Sequence, residues 1–122
     1  KEKGIDRFHQ LEATAVVNQM GNLNIISPGG SFIYSDHTIQ IIKERALFIH
    51  LHDSPERIQS RIPNIESRGI IGLSKNNSFE TLFYERLPLY QAIAHVTFSI
   101  EFKSFNDVES DIIEYIKLNF DI

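Results

Sequence analysis

Arg86 falls seven residues after Phe79 and four after Leu82, on the side of a predicted helix that the apolar spacing turns toward a core. A guanidinium there needs an anion, because an uncompensated buried charge is costly. A bound carboxylate satisfies that need, and so does a structural partner such as Glu12. Gly29-Gly30 is a second candidate: paired glycines let backbone amides come close to a ligand, or simply let the chain turn. Arg68, in a polar stretch, reads on its own as a solvated charge. His50-x-His52 turns two imidazoles to one side of a strand beside Asp53, but a metal would need further ligands, so no metal site is expected. No nucleophile, base and acid stand in a recognisable catalytic order, and the serines lack a strand-turn-helix setting.

The elements that must position these residues follow from periodicity. Helical spacing over Ile5 to about Met20 ends at Gly21-Asn22, and Leu23 to Ser27 reads as a short strand before Pro28-Gly29-Gly30. A second helix is predicted over about Asp36 to Arg45 with Ile39, Ile41 and Ile42 as its stripe. Ala46 to Leu51 has the continuous apolar character of a strand buried on both faces. Ser54-Pro55 predicts a helix start, with Ser as the cap and Pro in the first turn, ending near Ile62-Pro63. Residues 63–77 are polar and rich in Gly, Ser and Asn, long enough to form a lid. Helical spacing resumes over Ser78 to Ala94, where Pro88 predicts a kink or split near Tyr84–Pro88. His95 to Ile100 is the third strand. A last helix runs from about Phe105 to Asn119 behind Ser104, with Val108, Ile112, Tyr115, Ile116 and Asn119 on one side.

Alternating strands and helices predict an α/β fold, a parallel sheet covered by helices on both faces. The 122 residues suit a single domain, and 42% hydrophobic content excludes disorder. Twelve scattered basic residues against sixteen acidic ones argue against a nucleic-acid surface. No apolar run is long enough to cross a bilayer, and no signal segment is present, so no membrane partner and a cytoplasmic location are expected. The absence of cysteine removes disulfides and thiolate chemistry.

Four segments, in order, resemble the carboxyl-terminal two-thirds of shikimate kinase, a family of the P-loop kinase group with a three-layer α/β/α fold. Gly4-x-x-x-Phe8-His9-x-x-Glu12 is similar to its Gly-x-x-x-Phe-Arg-x-x-Glu helix, and Ser27-Pro28-Gly29-Gly30-Ser31 to its glycine loop. Arg61 and Arg68 match the paired arginines that enter the lid, and Arg86-x-Pro88-Leu89-Tyr90 matches the Arg-x-Pro-Leu-Tyr signature after it. The resemblance implies an ATP- and Mg²⁺-dependent kinase acting on the 3-hydroxyl of shikimate. By position it implies His9, Glu12, Gly29, Gly30 and Arg86 at the substrate. It also implies Arg68 as the catalytic residue at the phosphates, with Arg61 and Phe105 at adenine.

The chain departs from that pattern in three places. His9 stands where the family has arginine, Pro28 replaces the first glycine of its loop, and Gly69 follows Arg68 in place of Pro. The imidazole at position 9 leaves open a kinase of altered substrate. The phosphate-loop pattern Gly-x-x-x-x-Gly-Lys-Ser/Thr is absent from these residues, and Lys1 is not an initiator Met. Residues 1–122 are therefore read as one domain, incomplete at its amino terminus, whose nucleotide cradle lies in a longer natural chain. Taken alone they are not expected to catalyse, and a non-catalytic binding or assembly module is the alternative.

Overall fold

The computed structural model describes Arg7, Gln10, Leu11, Thr14 and residues 25–62 and 78–120. Arg7, Gln10, Leu11 and Thr14 are helical, within the predicted first helix. A 3-10 turn over Gly30–Tyr34 follows, then α1 (Asp36–Lys43), β1 (Ile49–His52), α2 (Pro55–Ser60), α3 (Phe79–Ile93), β2 (Val96–Ser99) and α4 (Phe105–Asn119). The segment 63–77, read as a lid, lies outside the described residues.

β1 and β2 pair in parallel, Ile49 opposite Val96 and His52 opposite Ser99. The entry to the pair is pinned by reciprocal bonds: the Phe48 amide donates to His95 Nδ1 at 2.9 Å, and the His95 amide donates to the Phe48 carbonyl at 2.8 Å. Successive strand side chains point to opposite faces. His50 and His52 accordingly meet Tyr90 and Phe83 of α3, while Phe98 on the other face meets Tyr115 of α4 edge-on. Helices thus cover both faces of the pair, as the α/β reading requires. The core lies beside it, where Phe32, Ile39 and Ile42 pack with Ala46, Phe48 and Ile93.

Local chemistry sets the helix starts. Ser54, Ser78 and Ser104 each accept a hydrogen bond from the backbone amide three residues on, at 3.3, 3.1 and 3.1 Å, which satisfies one of the otherwise orphaned donors. Among the described residues no helix is long and apolar enough to cross a membrane.

Several predicted details are corrected. Ile25, Ile26 and Ser27 are not in a strand, and Ile25 is 86% exposed: a strand exists only where a neighbour takes up its backbone groups, and no described strand lies against these three. β1 begins at Ile49 rather than Ala46, and Leu51 is 47% exposed rather than buried on its face. β2 is the only strand paired with β1 among the described residues, so the apolar run lacks the cover its composition suits. α3 runs unbroken through Pro88, so the predicted split is absent. Proline deprives only the Tyr84 carbonyl of its donor, and Tyr84 is on an exposed part of the helix where water can serve it. Ile41 is also exposed, because two helical steps turn it roughly 200° from Ile39. Asn119 leaves its stripe to donate to the Tyr115 carbonyl at 2.9 Å.

α4 has no buried residue and leans on its cap and on the Phe98–Tyr115 contact. Ser104→Ala is expected to lower the unfolding free energy by about 1 kcal/mol, and Ser104→Gly by much less, read as shifts of the urea midpoint.

Candidate functional site

Gly30, Arg86 and Tyr90 converge from two elements far apart in sequence. The Tyr90 hydroxyl donates to the Gly30 carbonyl at 2.8 Å. A Cβ at position 30 would lie 2.9 Å from that hydroxyl and 3.1 Å from Arg86 Nη1, so any larger residue there must shift the ends of these two side chains. The preceding Gly29 has φ −62° and ψ 153°, a conformation open to any residue, which leaves close approach rather than dihedral freedom as the reason for this loop.

Arg86 is 8% exposed, as its place on the apolar spacing of α3 predicts. Its guanidinium carbon stands 5.5 Å from the centroid of the Tyr34 ring, within the range of a cation–π contact. Tyr34 ends the 3-10 turn that Gly30 begins. One short turn thus presents to Arg86 both a glycine backbone and an aromatic face. Such an enclosed, aromatic-backed guanidinium can bind a carboxylate or phosphate through two parallel hydrogen bonds.

Behind Tyr90 lies β1. The His50 ring stacks on Tyr90 at 5.3 Å between centroids and 23° between planes, and His50 Nδ1 is 3.4 Å from Thr97 Oγ1. Burial, and then the neighbouring His52, push the His50 imidazole below its usual value, so the neutral ring is favoured.

A second polar cluster caps the end of β1. Asp53 is 1% exposed and accepts from the Ser54 amide at 2.8 Å, while Arg57 Nε lies 3.2 Å from Oδ1. Arg61 pairs with the other oxygen, Oδ2. Burial raises the Asp53 carboxyl, but Arg61, the Ser54 amide and Arg57 together outweigh it and hold the group below the ordinary carboxylate range. Arg57 also lies over the Phe102 ring at 4.7 Å from its centroid. Phe102 has φ 61° in the turn before α4, a strained choice for an aromatic residue.

Of the residues predicted from sequence, Gly30 and Arg86 are brought together, with Gly29 adjoining. Arg61 is engaged by Asp53, and Phe105 stands 95% exposed at the start of α4. His9, Glu12 and Arg68 lie outside the described residues. Sequence reasoning missed Tyr34, the hydroxyl of Tyr90 and the plate formed by His50. Only Tyr90 carried a signal, standing one helical turn after Arg86. His50-x-His52 does share one strand face, as predicted, but among the described residues no three His, Cys, Asp or Glu side chains gather as metal ligands.

The family model described as shikimate kinase matches residues 1–117. Among curated proteins, the chain is 31% identical over 113 residues to a shikimate kinase of Dehalococcoides mccartyi, covering 92% of this chain and 64% of that protein. It is 24% identical to one from Dictyoglomus turgidum, over 95% of this chain and 70% of that protein. A third, from Streptococcus gordonii, is 26% identical over 76% of this chain and 60% of its own length. The chain thus spans 64% of the length of its Dehalococcoides relatives. No solved structure gives a significant match.

The two titrating clusters make stability fall in two acid steps. His50 has a lowered value in the fold, so as pH drops through about 6.5 the unfolded chain takes up a proton that the native state resists. Asp53, also lowered, stabilises the fold above its ordinary range and loses that contribution below about pH 4. Urea midpoints followed against pH are expected to show both declines, with His50→Phe flattening the first and Asp53→Asn the second.

Proposed function

The chain belongs to the shikimate kinase family, and from that premise we propose that the complete protein transfers the γ-phosphoryl group of ATP to the 3-hydroxyl of shikimate. The observation that carries this reading is the approach of Arg86 to Gly30, which holds a buried guanidinium against a side-chain-free stretch of backbone. A carboxylate-bearing polyol suits that arrangement: the carboxylate is neutralised by Arg86, and the acceptor hydroxyl is fixed relative to the glycine turn.

Phosphoryl transfer asks the protein for positioning and charge compensation rather than covalent chemistry. In this reading Gly29, Gly30 and Arg86 hold the acceptor with His9 and Glu12. Arg61 and Phe105 flank the adenine, and Arg68 reaches the phosphates from a lid over residues 63–77. The Asp53 carboxylate fixes Arg61 at the end of β1, and the full exposure of Phe105 leaves its ring available for stacking. A closing lid excludes water, which would otherwise accept the phosphoryl group.

The nucleotide cradle is assigned to natural chain outside these 122 residues. Two observations support this assignment: no phosphate-loop pattern occurs in the sequence, and the relatives are longer. Mg²⁺ supplies charge neutralisation between the phosphates when bound, and its ligands are assigned to the same cradle. An in-frame Gly-x-x-x-x-Gly-Lys-Ser/Thr upstream of Lys1 is the expected genomic finding, and a stop codon there would favour a non-catalytic module. A kinase of altered substrate is favoured by one observation, the histidine at position 9.

Calorimetric titration of the full-length protein with shikimate, with and without ADP, tests the reading. Arg86→Ala is expected to weaken shikimate binding by about 30-fold or more, with ADP binding within about twofold of wild type. Arg86→Lys, lacking the planar fork, restores little of it. Absence of shikimate binding, together with tight binding of a polyol that has no carboxylate, would end this reading in favour of the altered substrate.

A further inference from the structure

α3 carries Arg86 and Tyr90 one turn apart on the same face, and both reach the same glycine. The two contacts differ in kind. Arg86 lies close to position 30, whereas Tyr90 holds the carbonyl there with a 2.8 Å hydrogen bond across sixty residues of sequence. A tyrosine has only two side-chain torsions, so where its ring is seated decides where its hydroxyl stands. The seat in this case is His50, stacked almost parallel beneath the ring and itself in contact with Thr97 of β2.

We propose that Tyr90 is a positioning residue of the acceptor pocket, its hydroxyl setting the spacing between the Gly30 turn and the Arg86 guanidinium, with His50 as the plate that seats it. The inference rests on the reading of Gly30 and Arg86 as that pocket. Without the hydroxyl, the Gly30 carbonyl loses this donor, and the 3-10 turn over Gly30–Tyr34 loses one of its ties to α3. Tyr34 is on that turn and lies against Arg86, so any drift also moves the aromatic face behind the guanidinium. Small displacements of a group that orients an acceptor are costly in binding and rate. The contacts run from the sheet outward: Thr97 touches His50, His50 seats Tyr90, and Tyr90 fixes Gly30.

The spacing at position 30 makes the proposal separable from a general packing role. A methyl group there meets the Tyr90 hydroxyl at 2.9 Å and Arg86 Nη1 at 3.1 Å. Removing the hydroxyl removes the nearer obstruction and leaves the other, so Gly30→Ala and Tyr90→Phe must be non-additive.

The test uses the full-length protein, with calorimetric titrations of shikimate and of ADP and thermal midpoints for each variant. Tyr90→Phe is expected to weaken shikimate binding about tenfold while ADP binding stays within about twofold. His50→Ala should reproduce that loss, and His50→Phe, which keeps a flat ring, should restore most of it. Gly30→Ala should lower the thermal midpoint less in the Tyr90→Phe background than in wild type. A lowered midpoint in Tyr90→Phe with unchanged shikimate affinity would overturn the proposal, as would strictly additive midpoints for the Gly30 and Tyr90 variants. If the wild-type protein binds ADP but no shikimate, the acceptor reading itself falls. The additivity of the midpoints then decides the Tyr90–Gly30 coupling by itself.

Discussion

Two pieces of chain sixty residues apart meet at Gly30, where the Tyr90 hydroxyl bonds the backbone carbonyl beside a position with no Cβ. The Tyr90 hydroxyl, bonded to the Gly30 carbonyl at 2.8 Å, and Arg86 Nη1 lie 2.9 and 3.1 Å from where a Cβ at position 30 would stand. A side chain larger than hydrogen would have to displace the ends of Tyr90 and Arg86. The turn also carries Phe32, a member of the core cluster with Ile39 and Ile42, so the same close approach joins the candidate pocket to the packing of α1.

Among the described residues, two buried charges, Asp53 and Arg86, are accommodated differently. Asp53 sits at the end of β1 with a backbone amide and two arginines around it, an arrangement in which the hydrogen bonds and cations overcome the penalty of burial. Arg86, nearly as enclosed, is backed by an aromatic ring and a glycine turn. The first environment serves to hold its neighbours, fixing α2 and Arg61 against the strand. The second places the guanidinium against the turn that carries Gly30 and Tyr34, and so ties that turn to α3.

Parallel pairing of β1 with β2 puts His50 and His52 on the α3 side and Phe98 on the α4 side. On β1 itself, Leu51 is left 47% exposed, where a sheet buried on both faces would cover it. An α/β fold with helices on both faces is therefore present in the described residues as a narrow pair, and its composition is matched to a broader sheet.

Periodicity and caps were legible in the residues themselves. Ser54, Ser78 and Ser104 cap the helices their spacing predicted, and α4 spans Phe105–Asn119 as read from its stripe, because such signals are exchanged between residues three or four apart. The burial of Arg86 was equally local, following from its place on one helical face with Phe79 and Leu82. Strand limits, the unbroken passage of α3 through Pro88, the ring of Tyr34 behind Arg86 and the seat of Tyr90 on His50 were decided only by tertiary structure. Each depends on which distant surface comes within a few ångströms, and hydrogen bonds, stacking and steric exclusion at that range leave no trace in sequence spacing.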